Sequence, residues 1–177
     1  MAYTRWLSQQ RSEQSGRCIL VARGAWRSTK SIAEPNPLHR EQSAVMTGAC
    51  FCKAIKYEVL AESMMQGLCY CADCQTVGGS AYWASYAISP DDFRLTSGEL
   101  KKYTSRSAAG REVERHFCGD CGTQIKVQSN DVSVASVNAM TFDDPAHFRP
   151  QYTHFAESAP AWCDVHPELS AFQPPGE

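Results

Sequence analysis

Cys118-Gly119-Asp120-Cys121-Gly122-Thr123 is the stretch that decides the fold of this 177-residue chain. Two residues between its thiols let the loop turn back on itself. Gly119 and Gly122 offer positive-φ freedom, and backbone N–H groups then face sulfur, as in a zinc knuckle. A knuckle gives two ligands where a tetrahedral ion takes four. Cys50 and Cys52 supply the other pair. On a strand, side chains two apart point to one face, so both can grip one ion. Thiolates at about 2.3 Å from zinc would tie together segments far apart in sequence and contribute folding energy directly. The plain alternative is four buried free cysteines.

Three more cysteines remain close together, in Cys69-Tyr70-Cys71-Ala72-Asp73-Cys74. A strand-like pair plus a turn-like third member can grip one ion from three sides. No eighth cysteine is placed to complete the set: Cys163 reads as an ordinary half-buried thiol, and Cys18 lies in an atypical segment. Three protein ligands leave a position for an exchangeable group. His116 or His154 offers the alternative, a fourth ligand that closes this site as well. Gly78-Gly79-Ser80 follows the triplet with backbone freedom. Tyr82, Trp83 and Tyr86 beyond it suit either a pocket wall or a sheet core.

Nine cysteines cannot pair completely, and Cys-x-Cys spacing does not suit a local disulfide, so metal ligation is the better reading. Zinc favours thiolates in tetrahedral geometry. The net charge of -2 hides an asymmetry. Residues 1–45 carry seven Lys and Arg against three Asp and Glu, whereas residues 46–177 carry ten against sixteen. An acidic domain is a poor match for nucleic acid, whose binding leans on phosphate neutralisation. No apolar run approaches the roughly 20 residues that cross a membrane. The composition points to a cytoplasmic protein, where close cysteines usually bind metal.

Residues 1–45 are Ser- and Arg-rich, broken by Gly24, Pro35 and Pro37, with no sustained apolar period. They read as a disordered extension, a targeting peptide, or upstream sequence from an early start. Met46, just before Gly48-Ala49-Cys50, favours the first or third reading. From Met46 to residue 177 the chain reads as one mainly β domain. Residues 54–60 alternate with Ile55, Tyr57 and Val59 on one face, residues 132–137 alternate likewise, and residues 81–88 are aromatic-rich. Asp143-Asp144-Pro145 predicts one short helix.

Taken together, Gly48-Ala49-Cys50-Phe51-Cys52, Cys69 to Gln75 and His116 to Thr123 resemble the family of glutathione-dependent formaldehyde-activating enzymes and centromere protein V. The tail, with Phe148-Arg149-Pro150-Gln151-Tyr152, His154, Trp162 and Phe172, is similar too. The resemblance covers residues 46–172 and implies a β-tent fold: small antiparallel sheets around two zinc sites, with few short helices. It implies a structural zinc on Cys50, Cys52, Cys118 and Cys121, and a catalytic zinc on Cys69, Cys71 and Cys74. Tyr70 stands where many members have His, and Lys53 where Gly is common.

The activity so implied is carbon–sulfur lyase chemistry: a thiol such as glutathione joined to a small aldehyde such as formaldehyde, or the reverse. Its partners are small molecules, with neither nucleic acid nor membrane. A free thiol with pKa about 8.5 is mostly protonated at neutral pH, and metal binding supplies its anion. Lys53, Lys56, Arg106, Arg111 and Arg115 are candidates for substrate carboxylates, although solvated surface suits each. Two rival readings are a zinc-stabilised binding module without turnover, and a redox dithiol at Cys118 and Cys121.

Overall fold

The computed structural model describes residues 45–107, 110–130 and 133–171, so the expectations for the first 44 residues and for Phe172 lie outside the described residues. Among these residues, two sheets dominate. The smaller is antiparallel, in the order β1 (Met46–Ala49), β2 (Lys56–Val59) and β5 (Phe93–Ser97). The larger contains β3 (Met65–Cys69), β4 (Trp83–Ile88), β6 (Leu100–Arg106), β7 (Glu112–Cys118), β8 (Gln124–Ser129), β9 (Ala135–Asn138), β10 (Tyr152–His154) and β11 (Ser170–Ala171). Its strand order is β11-β10-β3-β4-β9-β8-β7-β6. The sheets are antiparallel as expected, except where β10 runs parallel to β3 and to β11.

The period-2 pattern of residues 54–60 places Ile55, Tyr57 and Val59 inward, each no more than 2% exposed. They pack against Ala84, Tyr86, Ile88, Ile125, Ala135 and Val137 from the larger sheet. Burial of an aliphatic side chain of this size contributes about 1.5–3 kcal/mol. The Tyr57 ring stacks on Phe93 at 5.0 Å, and Phe142 meets Tyr86 edge-on at 5.1 Å. Gly48 leaves room for this arrangement, because a Cβ there would lie 2.4 Å from the Tyr57 ring.

Local structure departs from the sequence reading in three places. Cys50 and Cys52 sit in a turn beyond β1 rather than on a strand, and Lys53 adopts a left-handed φ of 63° there. Gly119 has no positive φ; Gly122 alone of the knuckle pair does, at 74°. Gly119 instead gives clearance, since a Cβ would approach the Lys101 side chain at 2.7 Å. The third departure is a helix, α1 (Ala72–Gly78), where a turn was expected. Gly79 ends it in the left-handed conformation, at φ 60°. The helix expected after Asp143-Asp144 is a single 3₁₀ turn, Pro145–His147, capped by Asp144 Oδ1 accepting from Ala146 N at 2.9 Å. No helix among the described residues is long and apolar enough to cross a membrane.

Candidate metal centre

The turn after β1 and the turn between β7 and β8 bring four thiols together. The Sγ atoms of Cys50, Cys52, Cys118 and Cys121 all lie within 4.8 Å of one another. Cys50 Sγ is 3.4 Å from Cys52 Sγ, which is 3.7 Å from Cys118 Sγ. A disulfide needs about 2.05 Å. Tetrahedral zinc with bonds of about 2.3 Å puts its sulfurs about 3.8 Å apart. The donor set and its spacing therefore fit zinc.

Backbone and hydroxyl groups prepare these sulfurs. Ile55 N donates to Cys50 Sγ at 3.2 Å. Burial raises the Cys50 pKa, but the Ile55 N–H and the Cys52 and Cys118 thiols outweigh it and leave the pKa lowered. Thr123, whose hydroxyl lies 3.1 Å from Cys121 Sγ and accepts from Phe51 N, pulls Cys121 down to about 5. For Cys52 the Ala54 backbone works downward, yet the neighbouring Cys50 and Cys121 push it up to about 12. Nothing in the sequence reading gave Thr123 this part, although it closes the knuckle motif.

The second cluster sits where β3 hands over to α1. Cys69 ends β3, Cys71 caps the helix and Cys74 lies in its first turn. Their sulfurs also lie within 4.8 Å of one another, and among the described residues no imidazole or carboxylate joins the group. Cys74 N donates to Cys71 Sγ at 3.4 Å. The three thiols shift one another. Hydrogen bonds from Cys69 and Cys74 pull Cys71 down to about 2, while Cys69 is pushed up to about 11 and Cys74 further up. A divalent cation held there would supply the positive charge that all three thiols need to ionise together.

The histidines take other places. His154 lies opposite Cys69 in the parallel pairing of β10 with β3, half-buried, and desolvation lowers its pKa against the pull of Cys71. His116 is on β7, with Nε2 3.4 Å from Glu114 Oε2. Gln75, which the sequence reading quoted without a role, donates to the Tyr70 carbonyl at 2.5 Å and the Ser158 carbonyl at 2.8 Å. That ties α1 to the segment following β10.

The aromatic stretch serves the sheet core more than a pocket at the triplet, since the cavity that Tyr86 lines includes none of the clustered cysteines. Trp83 and Tyr86 are buried, and Trp83 Nε1 donates to Ser136 at 2.8 Å. Tyr86 lines a cavity of about 410 Å³ with Met46, Met65 and Gln66. Tyr82 is partly exposed and meets the Tyr70 ring edge-on at 5.5 Å. Cys163 is half-buried and outside both clusters. Of the basic candidates, Lys53, Lys56, Arg106 and Arg111 are exposed. Arg115 is not solvated surface: it is 7% exposed and bonded to Asp73 and Ser105.

The family model described as glutathione-dependent formaldehyde-activating enzyme matches residues 45–158, more than half of the chain and all seven clustered cysteines. A crystal structure of a Rhodobacter sphaeroides protein, a structural genomics target, is similar at 23% identity. The match covers 55% of this chain and 88% of that one, with a TM-score of 0.45. No curated protein matches the chain. On the strength of the family model, the chain belongs to the glutathione-dependent formaldehyde-activating enzyme family.

Proposed function

We propose that this chain is a zinc enzyme of the carbon–sulfur lyase class, joining a thiol such as glutathione to a small aldehyde such as formaldehyde, or reversing that addition. The observation that carries the reading is the inequality of the two clusters. Four thiols converge at Cys50, Cys52, Cys118 and Cys121, but three at Cys69, Cys71 and Cys74. Cys69, Cys71 and Cys74 would hold zinc, which would supply the positive charge that keeps an incoming thiol anionic at neutral pH.

The chain's own residues prepare the place for that thiol. Cys71, as helix cap, accepts from Cys74 N and thereby orients two of the three ligands. Gln75 fixes the backbone on both sides through the Tyr70 and Ser158 carbonyls. The reaction then needs little further machinery. The thiol gives its proton to water on ionising, its sulfur adds to the aldehyde carbon, the C=O π pair moves onto oxygen, and that oxygen takes the proton back from water to give the S-hydroxymethyl hemithioacetal. A cytoplasmic location belongs to the same proposal, since thiols stay reduced there.

The test is the rate of formaldehyde–glutathione exchange followed by NMR. Addition proceeds unaided, so the wild-type protein must exceed the blank, and Cys71→Ser must fall to the blank while remaining folded. Equal rates for wild type and blank would remove the enzymatic reading and favour the zinc-stabilised binding module.

A further inference from the structure

None of the seven residues of α1 is buried, although the helix bears Cys74 and is capped by Cys71. Val77 and Cys74 are its only half-buried apolar side chains, and a helix this short is not stable by itself, the threshold being about 12–15 residues. Polar tethers must dock it. Gln75 supplies one set. The other comes from across the sheet, where Arg115 Nη2 lies 3.3 Å from Asp73 Oδ2 and Nη1 donates to Ser105 Oγ.

Arg115 is on β7, three residues before Cys118, and its side chain is 9% exposed; Asp73 is 52% exposed. A guanidinium so buried needs its carboxylate, because an unpaired buried charge is costly. Asp73 sits between Cys71 and Cys74, so a restraint there fixes both thiols relative to Cys69 at the end of β3.

We propose that the Arg115–Asp73 pair is a positioning latch that sets the affinity of the Cys69, Cys71 and Cys74 triplet for its metal ion. The inference rests on reading the triplet as a metal site, and not on the thiol–aldehyde chemistry. Groups that orient metal ligands without touching the ion typically change affinity by about 10–100-fold when removed. Arg115→Lys keeps the charge but loses the planar fork that reaches Ser105 and Asp73 together.

The test is competition between the zinc-loaded full chain and a chromophoric chelator, for wild type, Asp73→Asn and Arg115→Lys, with cobalt(II) absorption as a second readout. The latch predicts that both variants keep one ion as tightly as wild type and release the other about 10–100-fold more readily. The cobalt(II) spectrum of that one site alone should change. Should Arg115→Lys fail to fold, Asp73→Asn decides, since its side chain is half exposed. Affinity of the second ion within twofold of wild type overturns the latch, as does equal weakening of both ions, the mark of a merely structural pair. A single ion in wild type removes the metal reading of the triplet and the latch with it.

Discussion

Cys52 Sγ lies 3.7 Å from Cys118 Sγ, a contact between residues 66 apart in the sequence. It joins the turn after β1 to the end of β7, and so ties the smaller sheet to the larger. Structural zinc contributes about 10–16 kcal/mol of apparent binding free energy in small peptides. The whole stability of a domain is about 5–15 kcal/mol. Cys118→Ser is therefore expected to abolish cooperative thermal unfolding, read by circular dichroism. A sharp transition within about 5 °C of wild type would show that the quartet does not hold the fold.

Lys53 has a φ of 63°, a region that costs a side-chain-bearing residue about 1–2 kcal/mol. Glycine escapes that cost but loses about 0.5–1 kcal/mol in the unfolded chain's freedom. The ion pair with Asp143, at 4.0 Å and well exposed, adds little. Lys53→Gly should thus stabilise by about 0.5 kcal/mol and raise Tm by about 1–3 °C. A lowered Tm would contradict the strain argument.

Tyr57 is 1% exposed, and burial pushes its phenol well above the ordinary value of about 10. Its proton is thus held more tightly in the folded chain. This contribution to stability is complete below pH about 10 and is lost as pH rises toward the folded value. Tyr57→Phe gives up the 2.6 Å hydrogen bond with Thr141, costing about 0.5–1.5 kcal/mol at neutral pH. Thr141 still donates to the Asn138 carbonyl at 2.7 Å. In urea titrations at pH 9 and 11, the variant should lose less stability than wild type over that interval. Equal losses would contradict the burial argument.

How much the sequence disclosed follows from what each element buries. Ile55, Tyr57 and Val59 were legible because a half-buried strand writes its burial as alternation. Helix α1 was not, since an element with no buried residue leaves no apolar period to read. The turn at Cys50 and Cys52 was hidden by Lys53, because glycine at that position would have signalled the left-handed backbone. Arg115 sits in the charged run Glu112-Val113-Glu114-Arg115-His116, which reads as solvated surface; only the sheet register turns it inward. That each set of cysteines converges was legible from spacing alone, whereas Thr123 and Gln75 act through hydrogen bonds that spacing does not encode.

We infer that the triplet holds a metal ion of its own, separable from an ion on the quartet of Cys50, Cys52, Cys118 and Cys121. The direct test is zinc content per chain in freshly purified wild type and Cys71→Ser, with circular dichroism of both. Two ions are expected in wild type and one in the variant, with the β spectrum unchanged. Equal zinc in the two proteins, or loss of the folded spectrum along with the metal, would contradict it.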